Sequence, residues 1–583
     1  MKRVLAVLLA AAGTAAGSAH AATPIPEGPN AADAPAFVGA PATQHPVFAK
    51  QPPRHPFMAP NERSNLHVDA FQTDTNTLPG PLGRDLQRVS TFQDADCGSV
   101  TFDSRGRIVT VCVGAAGPQL FMFDANTLDT LASYRLPPRQ PGAGNIFQDF
   151  AGGGYFYLDN QDRAVVPTTT RHLQVVAETG ETPGFALVRD FDLSGAVPLG
   201  DKIISALPDW SGRIWFASTG GVVGTVDLAN GAVKPLDTHE KNGNSFAVDD
   251  DGGVYVVTDA ALYRFEAAGD GTPQVVWRST YANVGTIKPG QTQAGSGTTP
   301  TVMTAGPWVA ITDNADPMDV VVFDRRTGKQ VCSAPVFAQG ASDTDQSLIA
   351  AGRALITENN YGYSGPSATE QGATTTAGLE RVDVTKEGCV KRWHSDEIAP
   401  SVVPKMSLAN GLVYTYTKPA GEGSDPWYLT ALDFRTGATV YKARAGAGLG
   451  FNNNYAPVTF GPDGTAYVGV LGGLVALRDA TPPAKVRQGR PRLALRIRYQ
   501  RARRCSPRRH AVARLAGPDR KLVRRVTFRY ARRVKLDRRA PFRVRFRVGS
   551  GRFGYEIRAV AVLHDGRRVK RARAARPCSR VRQ

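Results

Sequence analysis

The sequence predicts an all-β protein, an eight-bladed β-propeller followed by a small β-sandwich. A β-rich motif with Asp- or Asn-containing turns recurs at roughly 40 to 55 residues, the period of propeller blades, between about Leu86 and Asp479. No long stretch has the 3.6-residue apolar period of a helix. The last hundred residues alternate apolar and arginine side chains, which indicates half-buried strands.

The first 21 residues predict a secretory signal peptide. Lys2 and Arg3 precede a short apolar run that ends in Ala19-His20-Ala21, an A-x-A cleavage pattern. No later segment has the roughly 18 apolar residues that a membrane span needs. We therefore expect a secreted, cell-surface or periplasmic protein, cleaved near Ala21 and without a transmembrane segment.

Residues 22–85 predict an N-terminal arm. Up to about Asn61 the arm is rich in Pro, Ala and Gly, a composition that cannot bury a core and is typical of an extended linker. The remainder, which begins "NERSNLHVDAFQ", contains more apolar residues and can pack onto the domain that follows.

Residues 86–480 predict the propeller. Turns of the types Asp-x-x-Gly and Asn-Gly join pairs of strands as hairpins. The last copy stops after its third strand, at Leu477, so we expect the segment Leu86–Gln93 to supply the missing outer strand and close the ring. The second copy, near Tyr155, is weakly marked, which leaves seven blades as an alternative to eight.

Two copies carry a motif that resembles the PQQ-like, or quinoprotein-type, propeller repeat, which typically ends Asp-x-x-Thr-Gly-x-x-x-Trp. The matching residues are Asp324, Thr327, Gly328, Asp433, Thr436 and Gly437, with Cys332 and Tyr441 near the place of the tryptophan. The resemblance covers about 390 residues, from Leu86 to Asp479, and implies the fold. Enzymes of that family hold the quinone over a vicinal disulfide and under a tryptophan. Because this chain has no Cys-Cys pair, we do not expect PQQ or a dehydrogenase activity.

Six cysteines fit an exported protein. A hairpin turning between Ser104 and Arg105 sets Cys97 opposite Cys112, which predicts a cross-strand disulfide. Cys505 and Cys578 bracket the last domain, and Cys332 with Cys389 remains as the third pair by elimination.

Residues 481–583 predict a basic β-sandwich. They contain 35 of the 70 Lys and Arg residues but 4 of the 51 acidic ones, a balance of +31 that leaves −12 for the rest of the chain. Their alternating strands resemble the small immunoglobulin-like sandwiches appended to secreted bacterial proteins. We expect this surface to bind envelope polyanions such as teichoic acid, acidic polysaccharide or anionic lipid headgroups. Nucleic acid would bind only without sequence readout. A solvated basic face, or a dock for the acidic propeller, is the alternative.

Polar loops are predicted to surround the mouth of the propeller channel. Loops that enter the innermost strands include His239–Ser245, Ala341–Ser347 and the triple asparagine Asn452–Asn454. Loops that follow the second strands carry further acidic and amide side chains. We expect a small-molecule or peptide ligand on this face.

Oxygen ligands from neighbouring blades suggest a calcium site at the mouth, since Ca²⁺ takes 6–8 oxygens. The candidate ligands are Asp259, Asp313, Asn314, Glu358, Asn359 and Asn453. This mixture resembles the site chemistry of gluconolactonase- and paraoxonase-type propellers. Ordinary turn residues that bond their own backbone are the alternative.

Two functions therefore remain open. One is an exported ligand-binding or interaction scaffold, because a propeller fold alone supplies no chemistry. The other is a calcium-dependent hydrolase of lactonase or esterase type, with His239 or His394 as general base.

Overall fold

The computed structural model describes residues 19–139, 147, 149, 151–180, 182–421, 423–486, 491–499, 510–548, 556–563 and 568–574. The chain divides into two compact units at the boundary between residues 487 and 488. The first unit contains the arm and the propeller, and the second contains the basic sandwich.

Eight antiparallel sheets of four blade strands each follow one another in the described residues, which confirms the eight-bladed propeller over the seven-bladed alternative. Blades 1 to 4 comprise Ala95–Phe102, Ile108–Gly114, Gly117–Phe123 and Thr130–Arg135; Tyr157–Leu158, Ala164–Pro167, His172–Glu178 and Phe185–Asp192; Ile203–Pro208, Ile214–Ser218, Val222–Val226 and Val233–Asp237; Ala247–Val248, Val254–Val257, Ala261–Ala267 and Pro273–Thr280. Blades 5 to 8 comprise Thr301–Met303, Trp308–Thr312, Asp319–Asp324 and Gln330–Pro335; Ile349–Ala351, Ala354–Glu358, Leu379–Val384 and Cys389–Ser395; Lys405–Ser407, Leu412–Thr417, Pro426–Asp433 and Thr439–Ala447; Val458–Phe460, Ala466–Val470, Gly473–Asp479 and Leu86–Phe92.

The ring closes as the sequence predicted. The strand Leu86–Phe92 pairs antiparallel with Gly473–Asp479, with Val89 opposite Ala476, and so forms the outer strand of blade 8. Both ends of the propeller therefore share one sheet, and no blade is left with an unpaired third strand.

The Asp-x-x-Gly turns explain how the repeat forms locally. Asp103 Oδ1 accepts hydrogen bonds from the backbone N–H groups of Arg105 and Arg107, 2.9 and 2.7 Å away. Gly106 adopts a φ of 83°, which lies in the left-handed region that glycine tolerates best. The same aspartate-centred turn follows the first strands of blades 2, 3 and 4, at Asp159, Asp209 and Asp249.

Neighbouring blades are clamped by two devices. Trp277 and Trp393, on the outer strands of blades 4 and 6, pack on Gly328 and Gly437 of the next blade, where an added Cβ would lie 2.7 and 2.6 Å from the indole. Between blades 5 and 6 the position near that of the tryptophan belongs to Cys332. A disulfide to Cys389 links the two outer strands there.

Disulfides also form within a blade. Cys97 and Cys112 lie opposite each other on the first two strands of blade 1 and are bonded, as the hairpin spacing predicted. The pairing of Cys505 with Cys578 lies outside the described residues. Two disulfides are compatible with a protein outside the cytoplasm.

The arm is not the extended linker that its composition predicted. Phe37–Gly39 pairs antiparallel with the outer strand of blade 7, and the backbone N–H of His45 donates to the Asn410 carbonyl, 2.8 Å away. Ile25, Ala42 and several later arm residues are buried. A proline-rich segment cannot form its own core, but this one uses the core of the propeller.

The second unit is a sandwich of two antiparallel sheets. One contains Ala494–Tyr499, His510–Ala516 and Arg543–Arg547, and the other contains Val523–Tyr530, Arg533–Asp537, Glu556–Leu563 and Arg568–Ala574. Side chains of both sheets, including Leu515, Phe528 and Ile557, form one buried core.

Helical content is small. The described helical segments are short 3₁₀ turns at Ala31–Asp33, Pro366–Thr369, Leu449–Phe451 and Pro518–Leu522. Across the part of the chain that the structure describes, no helix has the length and apolar character needed to cross a bilayer.

Candidate functional site

The arm first follows the outside of the propeller and then runs through the central channel. Its carbonyl groups accept hydrogen bonds from backbone N–H groups of innermost strands in six blades, and Thr75–Asn76 pairs in parallel with Lys405–Ser407. The donor and acceptor pairs are Phe102 and Arg63, Leu158 and Ser64, Val248 and Ala70, Val302 and Phe71, Ala350 and Thr73, and Met406 and Asp74, 2.7–3.2 Å apart. Residues 63–76 therefore fill part of the channel, and we call them the channel segment.

A buried polar cluster fastens the channel segment. Asp74 is fully buried and contacts the Lys405 ammonium, while its Oδ2 lies 3.1 Å from His67 Nδ1. The Ser347 hydroxyl contacts both Asp74 and His67 Nδ1, the latter at 2.9 Å. Burial opposes ionisation of Asp74, but Lys405 and His67 hold its pKa below the ordinary value. Burial lowers the pKa of Lys405, which Asp74 partly opposes.

A cavity of about 740 Å³ opens at the channel mouth beside blades 1, 2 and 8. The channel segment contributes Leu66 to its lining, and Val111 and Val403 supply further apolar surface. Tyr155 and Tyr455 add aromatic surface. The cavity has the size and mainly apolar lining of a small-molecule site.

Two carboxylates that line this cavity, those of Asp345 and Asp96, have oxygens without a hydrogen-bond donor among the described residues. Asp345 is 4 % exposed, and neither of its oxygens accepts a hydrogen bond of good geometry within the described residues. Asp96 Oδ2 accepts from Asn454 Nδ2 at 3.1 Å, but Oδ1 is shielded from water and has no donor among the described residues. Burial raises the pKa of each carboxyl to about 7, an effect that Thr292 near Asp345 and Asn454 near Asp96 offset only in part.

Local structure places both carboxylates. Asp96 lies on the first strand of blade 1, next to the Cys97–Cys112 disulfide and to a bulge at Gly98. Bulges re-aim side chains and are frequent beside binding sites. The Asp345 backbone N–H donates to Asn360 Oδ1, 2.9 Å away, which holds the loop that enters blade 6.

The loop before blade 5 approaches Asp345 so closely that only glycine fits. A Cβ at Gly297 would lie 2.0 Å from the Thr344 carbonyl oxygen and 2.6 Å from Asp345 Oδ1. At Gly297 the loop before blade 5 therefore leaves no room for a side chain beside Asp345.

Hydrogen bonds fix the three asparagines at the mouth. Asn452 Oδ1 and Asn454 Oδ1 both accept from the Tyr363 hydroxyl, at 3.0 and 3.1 Å. Asn453 Nδ2 donates to the Ala456 carbonyl. Asn454 lines the cavity and holds Asp96, so one member of the run belongs to the candidate site.

The predicted calcium ligands make hydrogen bonds within the protein. Asp313 Oδ1 accepts from the backbone N–H groups of Ala315 and Asp319, and burial raises its pKa to about 6. The other candidates have comparable partners: Asp259 accepts from Lys241 N, Asn314 donates to Asn283 and Thr286, Glu358 accepts from Asn360, and Asn359 donates to Ala341 and Ala377. No three His, Cys, Asp or Glu side chains of the described residues group as a metal site. Calcium binding stays a prediction.

The predicted general bases lie away from the cavity. His394 is on the outer strand of blade 6, with Nδ1 2.9 Å from Glu380 and Nε2 3.1 Å from Asp396. Three strand spacings, about 14 Å, separate that strand from the innermost one. The His239 side chain is 85 % exposed and lies 3.2 Å from Asp237. Their catalytic role also stays a prediction.

Sequence reasoning missed the residues that line or seal the mouth. The sequence predicts that the loop Ala341–Ser347 lies at the mouth, but nothing in the sequence distinguishes Asp345 from its neighbours. Asp96 follows the strand that closes the ring, and its sequence context is that of an ordinary turn residue. The channel segment carried the one usable signal, a proline-free polar and apolar stretch between a linker-like segment and the first blade.

The chain is distantly similar to several known proteins. No family model matches the chain. An uncharacterised protein of Archaeoglobus fulgidus is 29 % identical over 367 residues, which cover 56 % of this chain and 70 % of that protein. The quinohemoprotein alcohol dehydrogenase of Comamonas testosteroni has a TM-score of 0.47 at 12 % identity, over 75 % of this chain and 83 % of that one. BamB of Moraxella catarrhalis has a TM-score of 0.37 at 12 % identity, over 59 % and 99 %. The likeness to these solved structures carries no argument about activity.

Proposed function

We propose that the propeller is a ligand-binding scaffold whose site is the channel-mouth cavity. The observation that carries the proposal is the cavity itself, about 740 Å³ in volume and lined by apolar and aromatic side chains with a few carboxylates. Concave apolar surface with a few polar groups is what small-molecule sites share. An exported location for such a protein fits the two disulfides.

Gly98 allows a direct test of the site. It lines the cavity, and a Cβ added there would meet no atom within 4 Å, so Gly98→Trp should fill the cavity without disturbing blade 1. Gly269 is a matched control, because it is exposed on blade 4 and also has open space for a Cβ. A fragment library is screened by saturation-transfer NMR against the wild type and both variants.

We expect a set of fragments that bind the wild type and Gly269→Trp and lose at least tenfold in affinity in Gly98→Trp. Near-native circular dichroism and near-native unfolding midpoints of both variants provide the folding control. If no fragment distinguishes Gly98→Trp from Gly269→Trp, the cavity is not a ligand site and the proposal is wrong.

We further propose that the sandwich binds acidic polymers of the envelope, because its three-stranded sheet presents rows of arginine. Arg496, Arg514 and Arg543 lie directly opposite one another across three strands, and all three are exposed. Like charges at opposed positions destabilise a sheet, so a repeating anion would relieve the repulsion. Arginine also binds phosphate and carboxylate with paired donors.

Charge-matched triple variants of the full chain test the arginine row. We expect Arg496→Gln/Arg514→Gln/Arg543→Gln to elute from immobilised heparin, an acidic polysaccharide, at a clearly lower salt concentration than the wild type. The control replaces Arg525, Arg529 and Arg533 of the other sheet with Gln and should shift elution less. Equal shifts would mean that net charge, not the row, governs binding. Retention unchanged at about 1 M salt would exclude an electrostatic anchor.

A further inference from the structure

We propose that the channel-mouth cavity selects a small organic cation, an amine or guanidine carried on an apolar body. This inference rests on the proposed ligand site and names its ligand class. It is carried by two carboxylates that line the cavity with unsatisfied oxygens, Asp345 and Asp96.

Asp345 is the stronger of the two observations. A carboxylate that is 96 % buried normally has hydrogen-bond donors or a counter-charge, because its desolvation is otherwise uncompensated. The Thr292 hydroxyl and backbone N–H lie near it and partly offset the rise in its pKa, but within the described residues neither oxygen accepts a hydrogen bond of good geometry. Because Asp345 lies at the wall of the cavity, its negative charge favours a cationic ligand there.

Asp96 supplies the second acceptor. Asn454 Nδ2 holds its Oδ2 at 3.1 Å and so orients the group, while Oδ1 has no donor within the described part of the chain. Asn454 is itself fixed by the Tyr363 hydroxyl, 3.1 Å from its Oδ1. The carboxylate is therefore pre-oriented by neighbours that leave one oxygen without a hydrogen bond.

The charge balance of the lining favours a cation over an anion. Four carboxylates, those of Asp94, Asp96, Asp149 and Asp345, line the cavity with one guanidinium, that of Arg139. Arg139 pairs with Asp149 at 2.8 Å, and the Lys202 ammonium lies 2.6 Å from the same carboxylate. Both basic groups therefore pair with Asp149.

The remaining lining defines the body of the ligand. Leu66, Val111 and Val403 offer apolar surface, and Tyr155 and Tyr455 add aromatic side chains, a residue type that attracts cations. A hydrated metal ion would not use this surface. An ammonium or guanidinium on an apolar or aromatic frame would use both parts of the cavity.

Pairs of isosteric probes test the charge preference. Tryptamine is compared with tryptophol, and benzamidine with benzamide, by saturation-transfer NMR and calorimetry on the full-length protein. We expect each cation to bind at least tenfold more tightly than its neutral partner, and we expect Asp345→Asn and Asp96→Asn each to remove most of that preference. Asp250→Asn, in an exposed turn of blade 4, is the matched control for loss of one charge and should keep the preference.

The outcomes separate the two proposals. Neutral and cationic probes that bind equally, or a preference that survives in the double variant Asp345→Asn/Asp96→Asn, would overturn the cation proposal. Hits that are confined to neutral fragments but are lost in Gly98→Trp would do the same and leave the ligand site standing. If no ligand is sensitive to Gly98→Trp, both proposals are wrong. Circular dichroism at each substitution confirms that the variants are folded.

Discussion

At the scale of single residues, the cavity holds charges that the fold does not compensate. Asp345 packs against Gly297 of the loop before blade 5, and its pKa is raised to about 7 because burial penalises the ionised form. The channel segment shows the opposite case, because Asp74 has Lys405, His67 and Ser347 around it and its pKa is lowered. Uncompensated groups of this kind are common at functional sites, where stability is lost in exchange for binding.

Replacing Asp345 should therefore stabilise the ligand-free protein. Its pKa in the folded state lies above the ordinary value, so the folded protein holds this proton more tightly than the unfolded chain does. The resulting stabilisation is fully present below about pH 4 and is lost as pH rises toward 7. Asp345→Asn removes that loss. We expect its gain in the free energy of unfolding to be roughly 1–2 kcal/mol larger at pH 8 than at pH 5.

Urea denaturation followed by tryptophan fluorescence measures this difference, and it reports on the propeller because all six tryptophans precede residue 481. Asp250→Asn serves as the control, and its effect should be the same at both pH values within error. A stabilisation by Asp345→Asn that is equal at pH 5 and pH 8 would show that the carboxyl is not protonated in the folded protein at pH 5.

At the scale of elements, the arm joins the blades from inside. The channel segment accepts backbone hydrogen bonds from six innermost strands, and the buried ion pair of Asp74 with Lys405 ties it to blade 7. Backbone bonds of this kind need no particular side chain, but they satisfy groups that would otherwise be buried without partners. The arm is thus a structural part of the propeller, and Leu66 makes it part of the cavity as well.

Breaking the buried ion pair should loosen the arm. Lys405→Met leaves the fully buried Asp74 without its cation, and we expect a loss of about 3–5 kcal/mol in the free energy of unfolding. The double variant Asp74→Asn/Lys405→Met should recover much of that loss, since no charge is then left unpaired. Urea titration of the two variants measures both values.

An exposed ion pair provides the comparison. Arg435 contacts Asp433 at 2.6 Å with a half-exposed side chain, so Arg435→Met should lower stability by less than about 1 kcal/mol. If Lys405→Met is as mild as Arg435→Met, the channel segment contributes little to stability and the arm is held by its outer contacts alone.

At the scale of the whole molecule, a propeller is stabilised by contacts between adjacent blades and by ring closure. The strand Leu86–Phe92 closes the ring, and the Cys332–Cys389 disulfide fastens blade 5 to blade 6 across 57 residues of sequence. The Cys97–Cys112 disulfide spans only 15 residues and stays within blade 1. The longer loop restricts the unfolded chain more.

Removal of each disulfide should reveal this difference. On loop length alone we expect Cys332→Ala/Cys389→Ala to lose about 4 kcal/mol and Cys97→Ala/Cys112→Ala about 3 kcal/mol. Denaturation of both variants without reductant measures the losses, and the wild type in reductant should approach the sum. A larger loss for the short loop would show that packing inside blade 1, not restriction of the unfolded chain, dominates.

Much of the fold could be predicted because its determinants are local. The Asp-x-x-Gly turns bond their own backbone, strand alternation has a fixed period, and Cys97 faces Cys112 at a hairpin spacing, so each can be recognised within a few residues. The candidate site could not be predicted in this way. Asp96 and Asp345 are separated by most of the propeller in sequence, and only the ring brings both to one cavity.

The sequence by itself determined the repeat, the closing strand and the charge contrast between the two units, because each depends on short-range pattern or on composition. The structure decided between seven and eight blades. Only the tertiary structure decided where the arm runs and which carboxylates are left without donors. Both depend on what surrounds a group in three dimensions. A proline-rich segment that has no core of its own can be held by the edge of a blade, and an aspartate is an ordinary turn residue or an unsatisfied buried charge according to its neighbours.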